Sequence, residues 1–400
     1  MSDNRSSAAR IAGADKTPEQ WAPLTLGFRP FFLLSICFAV LLMLASLAFF
    51  ATGFGGTVYF TPSLWHGHEM VFGYATAVIA GFLLTAVRNW TGLPTPSGRP
   101  LALLVLLWLA PRLLSVVPLL PATAFALLDI LFLPVLAVVL GRVILQVKQA
   151  HNYPVPLLVL LLGLCNAGVH LDMLGFAEGL AGQSMQVAVI TMLALVVVVA
   201  GRVVPFFMQG AIGRRPVSYQ WIERMALPSV LLLAVAVLIA NPWLTMVSAL
   251  LAALIHSIRL IGWFDRAIFR QPMLWVLHAG YLWLIAGFLI YAVAVFIDMA
   301  MMQAIHAWTV GAIGMFTLGM MARVALGHTG RPIEPLPGVV AAFVLLFVAA
   351  FARVVLPLIS VQLLNAALMI SAVSWIAAFL IIAMRYVFIL LRPRADGKPG

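Results

Sequence analysis

The densest chemistry in the 400 residues is Trp65-His66-Gly67-His68-Glu69. Histidine ligates metals and exchanges protons near neutral pH, and a carboxylate beside it can orient the ring. In a regular helix, residues i and i+2 point ~200° apart. His66 and His68 therefore predict two centres rather than one shared site. Glu69 lies three residues after His66 and shares its face, where it can accept from that imidazole. The plainer alternative is a helix start at a membrane interface, where Trp, His and Glu are all at ease.

The elements that position these groups follow from composition. The chain is 64% hydrophobic and 9% charged, against ~25% charged in a soluble domain. Lipid must therefore be part of its solvent. Crossing a ~30 Å hydrocarbon core takes ~20 apolar residues, and twelve runs qualify: 31–52, 66–87, 101–118, 122–145, 155–174, 185–208, 223–239, 243–262, 273–296, 303–325, 338–356 and 361–390. Turn residues separate them: Gly53, Gly55 and Gly56, then Pro94, Pro118, Pro154, Pro242, Pro272 and Pro335. The expected fold is an all-α polytopic membrane protein: residues 1–30 a cytoplasmic N-terminal segment, 31–390 a twelve-helix transmembrane domain, and 391–400 a cytoplasmic tail. No cleavable signal peptide is visible.

The net charge of +11 does not mark a nucleic-acid protein. Its basic residues fall in short clusters between apolar runs, with 21 of the 23 Lys and Arg on one side of the membrane. By the positive-inside rule that side is cytoplasmic, so both termini are expected inside. Cys37 and Cys165 sit within apolar runs and read as buried thiols, without disulfide or metal spacing.

An internal repeat is also present. An offset of 238 sets His68 on His306, Gly73 on Gly311, Gly81 on Gly319, Thr91 on Thr329, Gly92 on Gly330 and Pro94 on Pro332. The second helix thus matches the tenth, and the sixth is a fainter copy, with Arg202 near its end as Arg323 is in the tenth. Three four-helix units are the expected organisation.

Topology then sorts the other candidates by depth. His68 and His306 begin helices of the same direction, as two imidazoles holding a haem from opposite sides require. His170 could join His66 at a copper ion, which imidazole suits, or simply bond Asn166 one turn away. His256, His278 and His328 lie near the opposite ends of their helices and could form a second metal or haem site. There Ala279-Gly280-Tyr281 would admit a flat ligand; contact with lipid phosphate is the alternative for His328. Arg88, Arg202 and Arg323 fit snorkelling to the interface, with Arg323 a candidate partner for a haem propionate. Arg112, Arg353 and Asp129 could pair with one another or with propionates.

Several blocks are similar to the NnrS family. They are Gly27-Phe28-Arg29-Pro30-Phe31-Phe32, Trp65-His66-Gly67-His68-Glu69-Met70, Ala80-Gly81-Phe82-Leu83-Leu84-Thr85-Ala86-Val87, Asn89-Trp90-Thr91-Gly92, Leu277-His278-Ala279-Gly280-Tyr281, and Ala322-Arg323-Val324-Ala325-Leu326-Gly327-His328-Thr329-Gly330-Arg331. Arg88 departs from the family, which has Pro before Asn-Trp-Thr-Gly, and this bears on the shape of that loop. The resemblance implies a twelve-helix protein of the bacterial inner membrane containing haem b and copper, concerned with nitric oxide metabolism and nitrosative stress. At the level of fold, three four-helix units with an HxH also resemble the catalytic subunit of haem-copper oxidases, where the HxH is expected on helix 10 rather than helix 2.

The expected ligands are His68 and His306 for haem, with Arg323; His66, His68, His170, His278, His306 and His328 for metal; and Glu69 behind them. No CxxCH or cysteine-rich cluster supplies electrons, so turnover of nitric oxide implies an external donor such as quinol. Catalysis, sensing and metal or haem handling for another enzyme all fit the histidines. A secondary transporter is the other alternative, although the matched helices run in the same direction rather than inverted.

Overall fold

A computed structural model describes residues 21–52, 59–115 and 119–398, without the side chains at 298 and 299. Most of the N-terminal segment, the turn glycines at 53, 55 and 56, and Pro118 lie outside the described residues. Within them the chain is all-helical. Eleven helices are long and apolar enough to span a membrane: α1 (Phe28–Thr52), α2 (Pro62–Thr91), α4 (Ala122–Gln146), α5 (Ala150–Met173), α6 (Leu180–Ile212), α7 (Gln220–Ile239), α8 (Pro242–Gly262), α9 (Pro272–Ala294), α10 (Ala300–His328), α11 (Val339–Ile359) and α12 (Val361–Leu391). The twelfth, α3 (Gly98–Leu114), has 17 residues and is ~26 Å long. Start signals fit the breaks: Thr61 and Asn241 cap α2 and α8 through their side chains, each followed by Pro.

Consecutive helices pack side by side, and α12 returns to α1. Three helices lie inside this ring. In α2, α6 and α10, 83%, 78% and 94% of the apolar stretch is buried, against 39–61% in the other eight spanning helices. One inner helix thus occurs every fourth helix, as the fainter threefold repeat implies, and α10 touches both α2 and α6.

The 238-residue repeat has a physical counterpart. Both α2 and α10 contain a π-helical segment, Glu69–Ala75 and Ala307–Ile313, and the offset superimposes them. Neighbouring side chains also fill matched glycine notches. A Cβ on Gly81 would meet Phe32 of α1 at 3.0 Å, and one on Gly319 would meet Val276 of α9 at 2.7 Å. The pair α1–α2 therefore recurs as α9–α10, with small residues letting the backbones approach.

The Gly-Phe-Arg-Pro block ties this core together. Arg29 is buried at the start of α1, and its Nη1 donates to the carbonyls of Leu390 (3.1 Å) and Arg392 (2.5 Å) at the end of α12. Those carbonyls are among the four that a helix terminus leaves unbonded. The Phe28 N–H donates to Thr85 Oγ1 of α2 at 3.2 Å. Cys165 is buried as expected, but Cys37 is exposed: an apolar run shows that a residue tolerates hydrocarbon, and lipid supplies that as well as protein does.

Candidate functional site

His66 and His68 leave α2 on different sides. His66 lines a cavity of about 510 Å³ among α1, α2, α6, α10, α11 and α12, which His306 and Arg353 also line. The Ser46 hydroxyl donates to the Leu42 carbonyl (2.7 Å), so its oxygen accepts from His66 Nδ1 (2.8 Å). His306 Nδ1 donates to the Met302 carbonyl at 2.6 Å. Each imidazole thus keeps its proton on Nδ1 and is left with the Nε2 lone pair. This is the tautomer a metal needs, held by the outer hydrogen bond that usually accompanies ligation. Among the described residues nothing bonds either Nε2. Arg353 Nη1 is likewise without a hydrogen-bond partner.

His68 enters a different environment. It is fully buried, with Nδ1 3.2 Å from Glu69 Oε1 and Nε2 2.9 Å from Asn166 Oδ1 and 3.2 Å from Asp129 Oδ2. His170 Nε2 donates to Asp129 Oδ2 at 2.9 Å, and the Tyr59 hydroxyl donates to His170 Nδ1 at 2.8 Å. Arg112 binds both carboxylates: Nε is 2.8 Å from Glu69 Oε2, and Nη2 contacts Asp129 Oδ1. Its Nη1 donates to the Phe72 carbonyl at 3.1 Å, and Trp108 Nε1 donates to the Gly73 carbonyl at 3.0 Å. Both carbonyls belong to the π-helical segment, where the i−4 ladder is interrupted and acceptors are free for side chains. Ligand atoms of His68, Asp129 and His170 lie within 4.8 Å of one another. Two imidazoles and a carboxylate are a donor set for a first-row transition metal. Without one, Arg112 and the imidazole protons balance the carboxylates.

The two histidines therefore face two sites, but with different partners from those their spacing suggested. His68 meets His170, with ring centroids 5.5 Å apart, rather than His306. His66 shares its cavity with His306 rather than with His170. The reason is depth against azimuth: equal helix direction placed His68 and His306 at one level, and only the packing of α2 shows which neighbour each side faces. Glu69 bonds His68 rather than His66, because the helix leaves α-geometry at Glu69. His170 bonds Asp129 rather than Asn166.

The trio at the other end does not assemble. His256 Nδ1 bonds the Tyr281 hydroxyl at 2.6 Å, His278 Nδ1 donates to the Leu274 carbonyl at 2.9 Å, and His328 packs on Phe28 with Nε2 3.5 Å from Asn89 Nδ2. A Cβ on Gly280 would meet Phe316 at 2.9 Å, so the space foreseen for a flat ligand is filled by α10. Arg323 is 17 residues beyond His306, about 25 Å along the helix, and rests on Phe207. It therefore lies well away from the cavity, which Arg353 lines. Ser46 and Tyr59 went unremarked in the sequence because nothing distinguishes a serine or tyrosine near an apolar run until its partner is known.

An all-helical polytopic membrane protein with two imidazole sites on one inner helix, one lining a cavity and one fully buried, is the class these features define. A family model described as NnrS protein matches residues 22–394. The chain belongs to the NnrS family, membrane proteins linked to the nitric oxide response. No curated protein matches it.

Proposed function

We propose that this protein lies in the bacterial inner membrane and protects against nitrosative stress by binding or turning over nitric oxide at a haem held in the cavity. The carrying observation is the pair of Nδ1-anchored imidazoles, His66 and His306, which present Nε2 to one space. The volume of about 510 Å³ falls in the ~300–1,000 Å³ range of cofactor pockets. Arg353, with its unpartnered Nη1, suits a propionate. Haem bound there would be held by His66 and His306, whose rings Ser46 and the Met302 carbonyl fix, and would supply iron for a diatomic ligand that takes the place of one of the two imidazoles. Copper, the second metal the family resemblance implies, is assigned to His68, His170 and Asp129, with Glu69 and Arg112 behind them.

Optical spectra and metal analysis of the purified protein, with and without nitric oxide, test this reading. His66→Ala and His306→Ala should each lose the haem spectrum while copper stays, and His68→Ala or His170→Ala should lose copper while haem stays. Haem retained in both cavity variants sinks the reading.

One observation favours a second reading, copper handling for another protein. Thirty residues line the cavity, and seven of the chain's 18 methionines are among them. Thioethers select Cu(I). Under that reading the cavity variants lose copper and no haem is found.

A further inference from the structure

Four arginines are buried among the described residues: Arg29, Arg112, Arg259 and Arg323. Three are matched. Arg29 holds the final carbonyls of α12, and Arg112 holds Glu69 and Asp129. Arg259 pairs with Glu223 and donates to the Val197 carbonyl at 3.1 Å. Among the described residues Arg323 has no such partner. It lies on the inner helix α10, five residues from the end at His328, and is only 8% exposed. Its Nε is buried without a hydrogen bond, and its guanidinium stands 3.7 Å from the centre of the Phe207 ring of α6. Of the described acidic residues at that end of the bundle, Asp265 is engaged by Arg214, Glu223 by Arg259 and Asp396 by Arg394, and Glu334 is exposed in the loop after α10 with no ion pair to Arg323.

A ring face offsets only part of what a guanidinium loses on leaving water. Intramembrane ionisable groups without a protein partner mark ligand sites, and the planar fork of arginine matches two oxygens of an oxyanion. We propose that Arg323 anchors an anion site on the α6–α10 seam, at the end of the bundle opposite the cavity. It takes a phosphate-type oxyanion, supplied either by the headgroup of an anionic lipid or by free inorganic phosphate. Phe207 forms one wall and keeps the guanidinium flat. The site is independent of the metal centres.

Thermal unfolding of the full chain in neutral detergent, titrated with sodium phosphate against sodium chloride of equal ionic strength, tests the assignment. Saturating phosphate should raise the wild-type midpoint by about 2–4 °C. Arg323→Met should lose this response and melt above the wild type in phosphate-free buffer, because an apolar chain replaces a charge without a partner. Arg323→Lys keeps the charge without the fork and should show a smaller rise. A second arm compares nanodiscs of phosphatidylcholine with nanodiscs containing phosphatidylglycerol, without phosphate. Stabilisation by phosphatidylglycerol alone identifies the lipid as the source, and stabilisation by phosphate alone identifies the free ion. A wild type indifferent to both overturns the proposal and leaves Arg323 as a cation solvated through its tip. So does an Arg323→Met or Arg323→Lys variant that responds as fully as the wild type, and the Lys variant decides the matter if the Met variant fails to fold.

Discussion

His66 and His68 are two residues apart on one helix and occupy opposite kinds of environment. On His66's side the walls are mostly apolar, the imidazole is anchored by a single hydrogen bond, and its second nitrogen is open to the cavity. On His68's side every side chain is engaged by hydrogen bonds or ion pairs: two carboxylates, an arginine, an asparagine, a tyrosine and a second histidine hold one another. The first arrangement is ready for a ligand and has little stability invested in it. The second holds charge in a buried space, so its members are interdependent whether or not a metal joins them. Availability for ligation and contribution to folding have been separated across the width of one helix.

Removing an arginine from each side is the strongest test of this contrast. Arg112→Met strands Glu69 and Asp129 as buried carboxylates without their cation. It should cost about 3–5 kcal/mol, seen as a large fall in the unfolding midpoint or as failure to accumulate. Arg353→Met removes a cation that no described carboxylate needs, and should weaken haem retention while leaving the midpoint nearly unchanged. Equal loss of stability in the two variants would erase the distinction. Asp129→Asn is next in size. It keeps the shape but removes the charge that Arg112 and both histidines share, so copper should be lost with haem retained, as metal analysis can read.

Smaller effects come from the groups behind the imidazoles. Ser46→Ala frees the His66 ring and Glu69→Gln weakens the hold on His68. Each should cost on the order of 10–100-fold in affinity, the first for haem and the second for copper. A crossed result, with Ser46→Ala affecting copper, would mean the sites are not independent. Orientation perturbs least and shows which face the cavity opens towards. Reporters after Lys398 or near Arg214 should read as cytoplasmic and one near Gly179 as periplasmic, so that the cavity opens to the periplasm. Opposite labelling inverts its access.

Much of this was legible before any coordinates. Apolar run length located twelve helices because the bilayer fixes the length of a crossing; for the run 101–118 the regular helix α3 ends at Leu114, and residues 116–118 lie outside the described residues. The 238 offset found the helices that turn out to share a π-helical segment, because glycines admitting a neighbouring helix leave a spaced pattern in the chain. The separation of His66 from His68 was legible too, since it follows from the pitch of a helix.

Partner identity was not. A one-dimensional reading gives each histidine a depth and a relative direction on its own helix, but not the rotation of that helix against its neighbours. It therefore joined His68 to His306 and His66 to His170, where packing joins His68 to His170 and His66 to His306. The π-helical segment widened the gap. It begins at Glu69 and turns that carboxylate to His68, and it exposes the carbonyls that Arg112 and Trp108 use. The sequence by itself determined that this chain folds in lipid as twelve helices with imidazoles at set depths, because those properties depend on composition and spacing along the chain. Which imidazoles share a site, and that Arg323 is buried against Phe207 with no carboxylate among the described residues to pair it, emerged only from the packing of the helices, because both depend on the azimuth at which separate helices meet.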